Sequence, residues 1–288
     1  MKKLTGILLI AISATSFGTL AIFGRYVYAD GMDIFTVLFM RFGIAAIVMI
    51  IILLLRKEHF PSRQIFAQLV GMGALGYVGQ SFFYMTAIKY ASSGLVALLL
   101  YLYPMFVFIL SVLVLHEKAT SVKVIALILA LVGSALTVDP NGGQLIGALM
   151  AIAAALIYSV YIIVGTNVMK HVSAVQSSAI IFASAGSVYG ILTFVNGAHL
   201  PASNAGWLAI LGMIGISTII PVVTFLAGLE RIGPTNAAML STLEPVVTVL
   251  LAAWLFGERL MPIVMVGGGL ILVAVILLTK AELKKSDY

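Results

Sequence analysis

Apolar residues run along this chain in long blocks, and charged residues, proline and small polar clusters fall in the gaps between them. A helix needs about 20 residues to cross the hydrocarbon core of a bilayer. Blocks of that length predict ten spans, at 4–28, 34–55, 64–87, 92–115 and 121–138 in the first half and 144–169, 175–196, 204–229, 235–256 and 262–280 in the second. The expected fold class is all-α, a polytopic membrane protein.

Composition agrees with that pattern. The 288 residues are 62% hydrophobic and only 9% charged, with a mean hydropathy of +1.18. Soluble domains carry about 25% charged residues, because water has to solvate their surface. A chain this poor in charge needs an apolar solvent, and lipid is the one available in quantity. The net charge of +6 does not suggest nucleic acid, since the basic residues form no stripe with aromatic partners. Cysteine is absent, which excludes a disulfide framework and cysteine-based metal or redox sites.

The basic residues instead orient the protein. With the N-terminus inside, Lys2, Lys3, Arg56, Lys57, Arg63, Lys118, Lys123, Lys170, Arg231, Lys280, Lys284 and Lys285 are cytoplasmic. Arg25, Lys89 and Arg259 lie outside and Arg41 within a span, which accounts for all 16. The positive-inside bias therefore predicts cytoplasmic termini, in a plasma (bacterial-type inner) membrane. Lys2-Lys3 ahead of an apolar run resembles a signal peptide. The run to Tyr28 is longer than a typical h-region and has a counterpart later in the chain, so a retained span is expected.

A shift of 141 residues aligns the chain with itself without gaps: Pro104 falls on Pro245, Glu117 on Glu258, Lys118 on Arg259 and Gly24 on Gly165. Coincident leucines and alanines mean little in a membrane sequence, but the paired proline and the glutamate-basic doublet mark a duplication. The expected units are 1–140 and 141–288. Five spans per unit is an odd number, so the two five-helix repeats are inverted relative to each other. Inverted repeats recur in transporters, where exchanging the conformations of the halves opens a central site to alternate sides. Channels and structural proteins can also be duplicated.

A few residues are ones that lipid should reject. Glu244 sits mid-span, directly before Pro245. A carboxylate at that depth costs about 2.5–3.5 kcal/mol on insertion scales, so it should face protein or water. It is read either as a site for a substrate ammonium or a proton, or as a structural carboxylate bonded to a neighbouring backbone. Arg41 is read as an interfacial anchor or helix-pairing residue, with capture of a substrate carboxylate as the functional alternative. Tyr77, Gln80, Ser81 and Tyr84 share one helix face by their spacing. Tyr101, Pro104 and Phe108 form a second such face, and Tyr158, Tyr161 and Gly165 a third, with Phe17 as the repeat partner of Tyr158. Together Phe17, Tyr77, Gln80, Tyr84, Tyr101, Tyr158, Tyr161 and Glu244 are the expected lining of a midplane cavity for an apolar or aromatic metabolite. Any single tyrosine could equally serve packing or an interface belt. Pro104, Pro221 and Pro245 are expected helix kinks.

The sequence lacks a Walker loop, an H-E-x-x-H pair and a G-x-S-x-G elbow. His59, His116, His171 and His199 fall in predicted loops without metal-ligand spacing. No enzyme, cofactor or metal is therefore expected.

The segment from Ser241 to Glu258, STLEPVVTVLLAAWLFGE, resembles the L-E-P-V…L-G-E signature of the EamA-type drug/metabolite transporter superfamily, and Phe39-Met-Arg-Phe42 resembles its aromatic-Arg-aromatic pattern. The resemblance covers essentially the whole chain. It implies a secondary carrier, often an exporter of amino acids or related metabolites, with a central cavity between the halves. The matching positions are Arg41, Glu244, Pro245, Gly257 and Glu258. The first half departs from the pattern, with Tyr103-Pro104 and His116-Glu117, which argues against a paired-carboxylate mechanism and for Glu117 and Glu258 as helix-end caps or pairs. The expected function is alternating-access export of a small organic solute such as an amino acid. A channel-like facilitator and a non-transporting scaffold or receptor are the alternatives. The partners are the substrate and the bilayer, with proton coupling and oligomeric state left open.

Overall fold

The computed structural model describes residues 2–90, 99–137, 145–256 and 262–284, and among these every regular element is helical. The first half comprises α1 (Lys2–Gly18), α2 (Leu20–Ala29), α3 (Ile34–Leu55), α4 (Arg63–Gly71), the π-helical segment π1 (Met72–Tyr77), α5 (Val78–Tyr90), α6 (Tyr103–Val114) and α7 (Ser121–Thr137). The second comprises α8 (Leu145–Val168), α9 (Ala174–Asn196), α10 (Asn204–Ile214), π2 (Gly215–Ile219), α11 (Ile220–Ile232), α12 (Pro234–Ser241), α13 (Leu243–Phe256) and α14 (Pro262–Lys284). The start of the fourth expected span, at 92–98, lies outside the described residues, as do Gly257, Glu258, Arg259 and Lys285.

Among the described residues, five helical stretches are long and apolar enough to cross a membrane: Lys3–Ala29, Ile34–Leu55, Leu145–Val168, Ala174–Asn196 and Asn204–Ile232. Tyr103–Val114, Ser121–Gly133 and Met265–Leu277 are shorter apolar helices. Leu55, Leu75, Phe194 and Trp254 point outward and are exposed, an arrangement that water penalises and hydrocarbon accepts. Polar caps mark where rods begin. Asp33 accepts the amides of Phe35 at 2.8 Å and Thr36 at 3.1 Å, and Ser173 and Gln176 form a capping box at the start of α9. These bonds satisfy amides that a helix start leaves unpaired.

Helix irregularities recur at equivalent places in the two halves. Shifted by 141 residues, π1 overlaps π2, and the turn at Tyr101–Leu102 falls on the turn at Thr242. Proline explains part of this. Pro104 and Pro245 stand in the first turn after those two breaks, and Pro221 in the first turn after π2. At Pro104 and Pro245 a missing N–H costs little, because first-turn amides have no intrahelical partner anyway, whereas Pro221 lies inside the continuous helical stretch Asn204–Ile232 and removes a backbone bond where π2 ends.

The halves also meet through equivalent pairs. α3 packs along α9, and α7 along α14. α1 packs on α11 just as its counterpart α8 packs on α5. The α3–α9 crossing is close enough that a Cβ on Gly186 would lie 3.0 Å from the Gly43 nitrogen, and at the α7–α14 crossing a Cβ on Gly133 would lie 2.6 Å from the Gly267 oxygen. Only glycine allows such backbone approach, a common device between membrane helices.

Loop bonds clasp both ends of the α3–α9 pair. At one end the Asp33 carboxylate meets His199 Nδ1 at 3.2 Å and the His199 amide donates to the Thr36 hydroxyl at 3.0 Å, while Asp30 accepts the amides of Ala202 at 2.7 Å and Ser203 at 3.1 Å. At the other the Ser173 hydroxyl donates to Glu58 and the Gln176 amide group to the His59 carbonyl, each at 2.5 Å.

Candidate functional site

Arg41 lies within α3 and is buried, 6% exposed. A guanidinium in that position needs acceptors, and the other half of the chain supplies them. Its Nε donates to the Thr218 hydroxyl at 2.7 Å and its Nη2 to the Ser217 carbonyl at 3.4 Å. Both acceptors belong to π2, whose widened turns alter the usual backbone pairing. The Thr218 hydroxyl in turn donates to the Met213 carbonyl at 2.9 Å, and the Ser217 hydroxyl shares a 2.6 Å hydrogen bond with that of Thr19. The guanidinium carbon also stands 5.0 Å from the Phe42 ring centroid, within cation–π range.

From Phe42 a ladder of aromatic rings crosses the bundle. Phe42 stacks on Tyr189 at 5.9 Å and meets Tyr77 edge-on at 5.2 Å. Tyr77 meets Tyr161 at 5.5 Å, Tyr161 stacks on Tyr158 at 5.9 Å, and Tyr158 meets Tyr103 at 4.9 Å. Phe225 of α11 closes the far side at 6.4 Å from Tyr158. Six helical segments therefore contribute to one surface of rings, at centroid spacings where aromatic pairs attract beyond simple burial.

Glu244 stands in the first turn of α13, immediately after the break at Thr242. Its side chain is half-buried, and among the described residues its carboxylate accepts no hydrogen bond. It lies within electrostatic reach of the Arg41 guanidinium and of the phenols of Tyr77, Tyr84, Tyr101, Tyr103 and Tyr158. A carboxyl group, a guanidinium and several phenols thus share one region of the interior.

The residues singled out from the sequence divide accordingly. Tyr77, Tyr84, Tyr101, Tyr158, Arg41 and Glu244 come together around that region. Tyr161 joins the ring ladder, and its buried hydroxyl has no hydrogen-bond partner among the described residues. Gln80 accepts from the Ser81 hydroxyl at 3.3 Å, and Phe17 packs against the core. Glu117 forms a 3.0 Å ion pair with Lys123 near the ends of α6 and α7, while Glu258 lies outside the described residues.

Tyr103, Tyr189 and Phe225 were not read as site residues. Tyr103 carried the one available signal, since it occupies the position of Glu244 under the 141-residue shift. Its hydroxyl donates to the Ala238 carbonyl at 3.4 Å, tying α6 to α12.

Known proteins extend this picture. A relative from Archaeoglobus fulgidus, named an uncharacterized transporter, is 28% identical over 268 residues, covering 93% of this chain and 94% of its own. The Bacillus subtilis uncharacterized transporter YcbK is 23% identical over 280 residues, 92% of this chain and 89% of its own. A solved crystal structure superposes with a TM-score of 0.85, covering 95% of this chain and 98% of its own at 21% identity, which speaks to the fold alone. The model of the EamA-like transporter family matches twice, over residues 4–139 and 145–280. With two matches spanning nearly the whole length, the chain belongs to the EamA-like transporter family and carries its two-repeat architecture.

Proposed function

We propose that this protein is a secondary carrier that exports a small zwitterionic solute, such as a neutral or aromatic amino acid, across the plasma or inner membrane. One observation carries the reading: a buried guanidinium, Arg41, and a half-buried carboxylate, Glu244, that accepts no hydrogen bond among the described residues both lie inside a bundle that must exclude unpaired charge. A solute with a carboxylate and an ammonium complements both, with Arg41 facing its carboxylate and Glu244 its ammonium. The phenols of Tyr77, Tyr84, Tyr101 and Tyr158 flank its apolar part as the wall of a central cavity. The Glu244 carboxylate accepts no hydrogen bond among the described residues, which favours a ligand or proton site over a structural carboxylate. The absence of enzyme motifs favours transport without catalysis.

The accompanying topology has ten spans, two inverted units at 1–140 and 141–288 and both termini cytoplasmic, as the basic residues suggest. Alternating access then consists of exchanging the conformations of the units around the charged pair.

Radiolabelled amino-acid flux in proteoliposomes tests the reading. A carrier saturates and is stimulated by substrate on the opposite side, whereas a pore does neither. Absence of flux for every amino acid would reject that substrate class. Glu244→Gln should remove any dependence of flux on a pH gradient, and an unchanged dependence would exclude Glu244 as a proton site.

A further inference from the structure

Two recesses run along the seam between the α4–π1 rod and α8, and Gln68 lines both. The first, about 510 Å³, sits at the end of the rods and is lined by Ser62, Gln64, Ile65, Gln68, Asn167 and His171. The second, about 600 Å³, continues from it between Gly71, Met72, Leu75 and Gly76 on one side and Leu156 and Val160 on the other. Leu75 is 76% and Val160 53% exposed, so this part of the seam opens toward hydrocarbon. Its floor is the ring of Tyr161, which a Cβ on Gly76 would approach to 3.3 Å. A Cβ on Gly71 would meet nothing within 4 Å, so the groove there is open space.

The chemistry changes along the seam from polar to apolar, as it does along a phospholipid. The polar recess has no carboxylate in its lining. Lys170 donates from Nζ to the Asn167 side chain at 3.2 Å, which brings an ammonium to its rim, and Arg63 lies in sequence between the lining residues Ser62 and Gln64. Glu58, in the preceding loop, is engaged by the Ser173 hydroxyl and by Arg56 at 3.7 Å. Bulk lipid is as apolar as the groove, so selective occupancy has to come from shape and from the headgroup.

We propose that this seam binds one anionic phospholipid, its phosphate at the Gln64, Gln68, Asn167 and His171 end beside Lys170 and one acyl chain along the Gly71–Gly76 groove. A basic residue close to the headgroup contributes about 1 kcal/mol, roughly fivefold in affinity.

The test uses the full chain, purified in mild detergent, stripped of lipid and titrated under native mass spectrometry with phosphatidylglycerol or phosphatidylcholine. The first phosphatidylglycerol should bind about fivefold or more tightly than the first phosphatidylcholine. Gly71→Leu should weaken the first adduct of both lipids by at least about fivefold, because the added side chain fills the groove. Lys170→Gln changes an exposed residue and carries little folding risk. It should weaken phosphatidylglycerol alone, by about fivefold. Equal binding of the two lipids would overturn the proposal, as would an unchanged preference in Lys170→Gln or full lipid binding by a folded Gly71→Leu. Competition by glycerol 3-phosphate, which has the headgroup anion but no chains, would also overturn it and reassign the polar recess to a soluble anion.

Discussion

Arg41 Nε donates a 2.7 Å hydrogen bond to the hydroxyl of Thr218, so the buried cation of α3 is held by a residue of π2 more than half the chain away. The bond is charge-assisted, and both partners are buried. Thr218→Val keeps the shape and removes the acceptor, leaving a charged donor unpaired. It should destabilise the protein by about 1–2 kcal/mol, since bonds to charged groups are worth more than neutral ones but membrane interiors soften the loss. Thr218→Ser should recover most of that in a detergent unfolding titration.

Arg41→Lys keeps the charge and loses the planar fork that reaches Thr218 and Ser217 together. Flux in proteoliposomes should fall by about tenfold or more, with a loss of stability no greater than that of Thr218→Val. Wild-type flux from the lysine variant would show that charge alone is what the position supplies.

The crossing of α3 and α9 is tight at Gly186, where an added Cβ would meet the backbone of Gly43 at 3.0–3.1 Å and push it back by a few tenths of an ångström. Gly186→Leu should cost about 1–3 kcal/mol through overpacking, or prevent accumulation of folded protein, and Gly186→Ala should be milder. Unfolding in mixed micelles ranks the series. Equal stability of the three proteins would mean that the helices can separate there freely.

Asp33 gives the protein an acid-sensitive cap. Desolvation pushes its carboxyl up, but hydrogen bonds from the Thr36 hydroxyl and amide, from His199 and from the Phe35 amide outweigh it and hold the group below its ordinary 3.8. A depressed carboxyl stabilises the fold above its unfolded pKa, and that stability is lost as pH falls through the lower, folded value. Melting temperature should therefore be flat near neutrality and drop in the acid range below 3.8. Asp33→Asn should melt lower at neutral pH and show a shallower acid slope. Asp30, held low first by the Ser203 side chain and then by the backbone amides of Ser203 and Ala202, titrates in the same direction, so the slope should shrink without vanishing.

Some of this was legible in the sequence, for reasons that the structure makes physical. α3 begins and ends at 34 and 55, as read, because Asp33 and Arg56 bracket a long run that is apolar apart from a few residues, Arg41 its one charge, and lipid disfavours either bracketing charge inside it. Glu244 and Arg41 stood out for the same reason. That they stand in one region could not be read, since it depends on how α1 and π2, which pack on each other, hold α13 and α3 respectively. The ring ladder was half visible. Tyr77, Tyr158 and Tyr161 lie on the expected faces, but Phe42 and Tyr189 are ordinary span residues until α3 and α9 bring them to 5.9 Å. The π-turns left no trace, because a widened turn changes the hydrogen-bond register and not the hydropathy.

Those two π-turns also record the protein's history. π1 and π2 overlap when the chain is shifted by one repeat length, and π-helix is among the rarest backbone forms. Independent acquisition of the same anomaly at the same place is the less economical account. Inheritance of the widened turn from one ancestral unit, carried into both halves when that unit was doubled, is the more economical account of the coincidence.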